Sequence, residues 1–364
     1  MVRTVNECLQ AVLWNGTVGI APLSHALPDG LTWAPGRHAP EPLVVARVTA
    51  RESPLIIPSP RSWSTPTGRL GRDSSVAPLG HPQPAIPRAA HVVGLDQYGV
   101  GMECRINEVL VHYVEHGGGV PLVALHGAGV DHREIEAAIE AIVPDTEYRR
   151  IYPDLPGMGL STTGGLTCND DVVTLLGDFI DHLGAGPVML LGHSYGAYLA
   201  RGVAARRPDA VLGLALLCPV AERSRNVPGH DVVRQDADAY DELEPAQRAG
   251  FEEYFVVRTP ATARRYRDRV VPGTTLVNEA ALERIFAGWT VDIGSSACSA
   301  PTLVVAGRRD SVVGYADAVE LLERYPHAAL AVVEDAGHAV MHERPELLGV
   351  LVGDWLDRAR PEDK

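Results

Sequence analysis

The sequence predicts a doubly wound α/β protein: a mostly parallel sheet with helices on both faces, interrupted by a helical insertion and preceded by a proline-rich leader. Three observations lead there. Short, continuously apolar runs recur from Pro121 onward, the pattern of strands buried on both faces. Segments of helical periodicity lie between them. A turn with a serine between two glycines joins one such strand directly to one such helix.

The leader, residues 1–101, is different material. It holds 13 of the chain's 28 prolines, against 15 in the 263 residues that follow. Runs such as Pro54-Leu-Ile-Ile-Pro58-Ser-Pro60 and His81-Pro-Gln-Pro84-Ala-Ile-Pro87 break helices and remove ladder donors from strands. A segment of this composition buries too little surface to offset its ordering entropy, so it is expected to be largely disordered. The alternative expectation is that Met102 is the true start and the upstream stretch is not translated.

From Met102 the pattern changes. Glu103–Ile106 and Val109–Glu115 read as two strands around the turn pair Asn107-Glu108. Pro121–Leu125, Val188–Leu191, Val211–Leu217, Thr302–Ala306 and Ala329–Val333 read as buried parallel strands. Asp170–Leu183, with Asn169 and Asp170 as capping candidates and a stop at Gly184, reads as a helix. So do Tyr195–Arg207, which stops ahead of Pro208, and the amphipathic Pro345–Arg358. Between Pro219 and Ala300 no buried-strand run occurs, and Asp238–Tyr254, Pro260–Arg269 and Asn278–Trp289 read as helices. An insertion of this size after a core strand reads as a cap over an active site. The expected division is a leader over 1–101, a core over 102–218 and 300–358, and a cap over 219–299.

Charge divides at the same place. The leader carries 8 Arg against 6 acidic residues, and the remainder 24 basic against 40 acidic, so a net +2 is followed by −16. An acidic body repels phosphate backbones and anionic lipid, which argues against nucleic acid and membrane surfaces as partners and for a small uncharged or cationic substrate. The five cysteines are widely spaced with no CxxC pair, and read as reduced thiols of a cytoplasmic protein. There is no signal-peptide pattern and no run of 18 uncharged apolar residues.

The chemistry is concentrated in Gly192-His-Ser194-Tyr-Gly196, set between the strand Val188–Leu191 and the helix from Tyr195. In that context a strand turns sharply into a helix, the serine sits strained at the tip, and the glycines leave room for neighbouring main chain. A serine hydroxyl is a poor nucleophile without a base. His338 follows the strand Ala329–Val333 on a loop at the carboxyl edge of the sheet and is the candidate. His342 lies too near the closing helix, and His193 faces the wrong side of the elbow. Asp310, just past the strand Thr302–Ala306, is placed to fix the His338 tautomer and stabilise its imidazolium, ahead of Asp317 and Asp335, which read as solvated charges. Oxyanion donors are expected from the backbone N–H of Tyr195 and from the loop His126-Gly-Ala-Gly129, with Ala128 chosen and Gly127 as its alternative. His126 reads as a structural hydrogen-bonder. Cys218 lacks an elbow and reads as an inert core thiol.

From about Met102 to Leu356 the sequence resembles the α/β-hydrolase family, in the group holding esterases, proline iminopeptidases, carbon–carbon bond hydrolases of aromatic degradation and cofactor-free haloperoxidases. His126-Gly127 matches the family's oxyanion strand end, Asp154-Leu-Pro-Gly-Met-Gly-Leu-Ser161 the loop after the next strand, Gly192–Gly196 the elbow, and Gly337-His338 the turn of the catalytic histidine. One departure is Gly129, where many relatives have proline. The resemblance implies a Ser194-His338-Asp310 triad, a structural role for Asp154, and no metal or organic cofactor.

The expected activity is hydrolysis of an ester or related carbonyl bond of a small molecule through an acyl-enzyme. The rivals are carbon–carbon bond hydrolysis of a dienoate and a ligand receptor that does no chemistry. In the insertion, Tyr240, Phe251, Tyr254, Phe255, Phe286 and Trp289 are candidates either to line the substrate pocket, Tyr254, Phe286 and Trp289 foremost, or to form the cap's own core.

Overall fold

A computed structural model describes residues 101–144, 146–220, 227–293 and 298–361, together with three short pieces of the leader. Those pieces, Gly19–Ile20, Thr32–Trp33 and Val45–Arg47, pair as a three-stranded antiparallel sheet. The rest of the leader, expected to be disordered, lies outside the described residues.

The apolar runs become one eight-stranded sheet. In chain order its strands are β1 (Met102–Ile106), β2 (Val109–Gly117), β3 (Val120–Leu125), β4 (Tyr148–Pro153), β5 (Val188–His193), β6 (Val211–Leu217), β7 (Thr302–Gly307) and β8 (Ala328–Val333). They lie in the order β8-β7-β6-β5-β3-β4-β2-β1. β3 to β8 run parallel, while β1 and β2 form the antiparallel edge. Leu122–Leu125 and Val188–Leu191 are at most 1% exposed, as continuous apolar runs require in a sheet covered on both sides. Each such buried aliphatic side chain contributes about 1.5–3 kcal/mol relative to exposure.

The order reverses at β3: β4 lies on one side of it and β5 on the other. That is the switch point at whose carboxyl ends ligands bind in such sheets. Leu125 pairs with Gly192, so the loop leaving β3 and the elbow leaving β5 start from hydrogen-bonded neighbours.

Helices α1 (His132–Ile139), α2 (Asn169–His182) and α3 (Tyr195–Arg206) follow β3, β4 and β5. Asn169 is the first residue of α2 and does not cap it: its side chain instead donates to the Trp289 carbonyl and accepts from the Tyr195 hydroxyl. Asp170 and Asp171 occupy the first turn, where the helix dipole favours negative charge, and Gly184 takes φ 58° just beyond the last turn.

One strand escaped the reading of apolar runs. β4 is Tyr-Arg-Arg-Ile-Tyr-Pro, and its Arg150 is wholly buried. The guanidinium meets Glu140 with Nε at 2.6 Å and Nη2 at 2.8 Å, and Nη1 donates to the Tyr148 carbonyl at 3.0 Å. The Tyr152 hydroxyl donates to the same carboxylate. Removing the Glu140 carboxylate takes two hydrogen bonds from a buried guanidinium and one from the Tyr152 hydroxyl. Glu140→Ala is therefore expected to lower unfolding free energy by about 3 kcal/mol, read as a lower denaturant midpoint at unchanged slope.

Between β6 and β7 lie α4 (Arg248–Tyr254), α5 (Pro260–Arg265), α6 (Val271–Thr274) and α7 (Glu279–Ala287). The helix expected over Asp238–Tyr254 starts only at Arg248, after a short 3₁₀ turn at Pro245–Gln247. Proline has no N–H to continue a helix from upstream, but it suits the first turn of a new one, here closed by a Glu244/Gln247 capping box. The helix expected over Pro260–Arg269 widens into a π turn at Tyr266–Val270, followed by Pro272, which offers residue 268 no donor. The insertion rests on α1 and on the loop after β4 through Tyr254–Glu134 and Asn278–Gly157 hydrogen bonds. After β7 come α8 (Ala316–Arg324) and, beyond β8, α9 (Val340–Glu343) and α10 (Pro345–Ala359). Among the described residues no helix is long and apolar enough to cross a membrane.

Candidate active site

Ser194 joins β5 to α3 at φ 52° and ψ −114°, a conformation side chains rarely adopt. Its N–H donates to the Leu217 carbonyl at 2.9 Å, which ties the tip of the elbow to the end of β6. The flanking glycines are demanded by close approach. A Cβ on Gly196 would meet the Leu125 and His126 carbonyls far inside contact distance, and one on Gly192 would meet the main chain of Gly196.

Two neighbouring strands deliver the other candidates. Asp310 follows β7 and is wholly buried; one carboxylate oxygen accepts from the Val312 and Val313 N–H groups at 2.9 Å each. The other oxygen lies 2.8 Å from His338 Nδ1, and His338 Nε2 lies 3.0 Å from Ser194 Oγ. Burial works against the Asp310 charge, but His338 and the two amides outweigh it and hold its pKa below the usual carboxylate value. An ionised Asp310 accepts a hydrogen bond from Nδ1–H, which keeps the proton on Nδ1 and leaves the Nε2 lone pair facing the serine hydroxyl. The three side chains chosen from the sequence thus form one unbroken hydrogen-bonded chain. Of their competitors, Asp335 pairs with Arg344, whereas Asp317, read as a solvated charge, is buried in the first turn of α8, where the helix terminus favours an anion.

The loop after β3 divides its amides. Gly127 N–H is directed at Glu134 Oε2 at 3.3 Å and Gly129 N–H at the Met158 sulfur, while Ala128 between them is exposed. Gly129 has φ 77°, a value closed to proline, so the departure from the family pattern follows from this loop's shape. His126 is structural: it accepts the Leu155 N–H on Nε2 at 2.9 Å and donates through Nδ1 to the Gly127 carbonyl, and burial lowers its pKa. Asp154 accepts from His112 Nδ1, His132 Nδ1, His132 N–H and Leu160 N–H at 2.7–3.0 Å, which ties β2, α1 and the loop after β4 together.

Several buried titratable groups surround the histidine turn, and two of them, Glu134 and Glu343, gave no signal in the sequence. Glu134 of α1 is 1% exposed; it accepts the Tyr254 hydroxyl at 2.7 Å and lies 2.9 Å from His193 Nδ1, an ionic contact off hydrogen-bond alignment. Burial opposes charge on both, yet their mutual attraction wins: the carboxyl is held far below its usual range, and the imidazole is raised. His193 Nε2 donates to the His338 carbonyl at 3.0 Å, so this histidine turns away from the nucleophile and onto the main chain of the other one. Glu343 accepts from Val256, Val257 and Gly337 N–H groups at 2.6–3.1 Å; burial nonetheless pushes its carboxyl up to about 7. His342 is buried, and burial brings its pKa down to about 3, so its ring is neutral.

Among the described residues two clusters gather metal-ligating atoms within 4.8 Å: His193, Cys218 and His338, and His112, His132 and Asp154. His338 already spends both ring nitrogens on Ser194 and Asp310, and Asp154 already serves both histidine Nδ1 atoms of the second cluster. Cys218 is buried with its sulfur 3.8 Å from the Gly337 carbonyl, and burial drives its thiol pKa well up, which leaves a weak donor instead of a nucleophile.

The insertion's aromatic residues divide. Phe251 and Phe255 are wholly buried in a second core, on which Tyr240 and Tyr254 pack. Phe286 and Trp289 are half-buried against the main core. Trp289 lies flat on Tyr198 at 5.3 Å, and Phe286 meets Tyr195 edge-on at 5.1 Å.

The fold, the elbow and the hydrogen-bonded Ser-His-Asp chain are those of an α/β hydrolase. The model of the alpha/beta hydrolase family matches residues 122–348, and the chain belongs to that family: it is an enzyme with hydrolase activity. It is similar to an (E)-2-((N-methylformamido)methylene)succinate hydrolase of Acinetobacter baylyi, 29% identical over 69% of this chain and 95% of that protein. A 2-hydroxymuconate semialdehyde hydrolase of Pseudomonas is 26% identical over 71% of this chain and 95% of its own length. Among solved structures, an α/β superfamily hydrolase of Oenococcus oeni aligns with a TM-score of 0.63 at 27% identity, covering 68% of this chain and 96% of that one.

Proposed function

We propose that the protein hydrolyses an ester or related carbonyl bond of a small molecule through an acyl-enzyme on Ser194. The single observation that carries this reading is the relay from Asp310 through His338 to Ser194, with links of 2.8 and 3.0 Å. Ser194 attacks the carbonyl while His338 Nε2 accepts its proton, and Asp310 holds the tautomer and stabilises the imidazolium. The developing oxyanion is received by the backbone N–H groups of Tyr195, at the start of α3, and Ala128; the Gly127 amide, directed at Glu134, is the weaker candidate. His338 then protonates the leaving group, and water repeats the sequence on the acyl-enzyme. No step calls for a metal or an organic cofactor.

Carbon–carbon bond hydrolysis is the second reading, and the semialdehyde hydrolase relative favours it. An aryl ester and a vinylogous diketone offered side by side distinguish the two. The ester is expected to turn over with a burst of released phenol that matches enzyme concentration. Turnover of the diketone alone would replace the first reading by the second.

A further inference from the structure

The insertion reaches the turn of the candidate base through two buried carboxylates. Glu343 takes the Val256 and Val257 N–H groups on Oε1, at 2.7 and 3.1 Å, and the Gly337 N–H on Oε2, at 2.6 Å. Glu134 takes the Tyr254 hydroxyl and lies against His193, whose Nε2 donates to the His338 carbonyl. The main chain on both sides of His338 is therefore linked, through these two carboxylates, to residues 254–257 of the insertion. The hydrogen bonds of these carboxylates go to the insertion, the histidine turn and the loop after β3, not to Ser194 or Asp310.

We propose that Glu343 and, through His193, Glu134 are positioning residues that make the placement of the His338 imidazole depend on how the 254–257 segment is seated. The proposal rests on reading His338 as the base. A substrate that shifts this segment also shifts the proton acceptor, so binding in the insertion is transmitted to the chemistry. The effect is large because an error of about 1 Å in a catalytic group costs on the order of 10²-fold in rate. Glutamine at 343 keeps shape and volume, but it offers one carbonyl oxygen to donors on both sides and turns an NH₂ group toward one of them. One of the two links is then repelled. Phenylalanine at 254 deletes only the hydroxyl that serves Glu134.

The test uses the full chain as wild type, Glu343→Gln, Tyr254→Phe and His338→Ala. Two quantities are followed: the second-order rate of Ser194 labelling by a fluorophosphonate, and the low-field proton resonance of His338 Nδ1–H, assigned by its loss in His338→Ala. Glu343→Gln is expected to slow labelling by about 10²-fold and to shift or broaden the resonance. Tyr254→Phe should do the same to a smaller extent, about tenfold, with circular dichroism unchanged in both. Wild-type labelling and resonance in folded Glu343→Gln would overturn the proposal; if that variant does not fold, wild-type behaviour of Tyr254→Phe overturns it instead. Wild-type labelling of His338→Ala would sink the assignment of the base, a separate result.

Discussion

Ser194→Ala is expected to lower hydrolytic turnover on the order of 10⁴- to 10⁶-fold and to abolish fluorophosphonate labelling, with the thermal midpoint essentially unmoved. The substitution deletes one oxygen at a residue 7% exposed. Alanine pays about the same cost at φ 52° as serine, and the N–H bond to Leu217 remains, so the elbow keeps its shape. What residual rate survives would come from the oxyanion donors and from binding, which act without a nucleophile. Steady-state assay of an aryl ester beside circular dichroism gives both numbers, and full turnover in the folded variant would remove the nucleophile from the scheme.

Asp310→Asn is expected to cost about 10⁴-fold in kcat while leaving the fold intact. The surroundings determine which way the amide turns. Val312 and Val313 both aim N–H groups at one carboxylate oxygen, so the asparagine oxygen stays there and its NH₂ group faces His338 Nδ1. Nδ1 must then accept, the proton moves to Nε2, and the lone pair needed by Ser194 is gone. The loss should fall on kcat with KM little changed, and the low-field Nδ1 resonance should vanish. Retention of wild-type kcat would mean that the tautomer is fixed by something other than this carboxylate.

The sheet and the three converging side chains were legible because their signals are local. Buried parallel strands are continuous apolar runs, and an elbow is five residues between a strand and a helix. Asp310 and His338 could be placed because each stands just past a strand whose end fixes its position. β4 was hidden because two arginines interrupt its run, and the burial of Arg150 makes sense only once Glu140 of another segment is beside it. The same blindness covers Glu134 and Glu343. In sequence they are acidic residues on helical stretches, the usual mark of a solvated face; only the assembled fold brings backbone N–H groups and His193 onto them. Charge burial depends on partners distant in the chain, and no periodicity encodes it. In the insertion, the turn at Pro245 begins a helix that composition alone started at Asp238, and a π turn at Tyr266–Val270 interrupts the one expected over Pro260–Arg269.

The pairing of Leu125 with Gly192 sets a limit on redesign. Because the two loops proposed to cradle the oxyanion leave adjacent rungs of one ladder, their starting separation follows the inter-strand spacing of about 4.8 Å and is insulated at that rung from whatever is built above it, although Gly127 beyond the rung shares Glu134 with Tyr254 of the insertion. The histidine turn has no such insulation, since it hangs partly from the insertion itself. A chimera that receives a foreign insertion should therefore keep its anion cradle and lose its proton acceptor's alignment, unless the graft carries donors equivalent to Tyr254, Val256 and Val257.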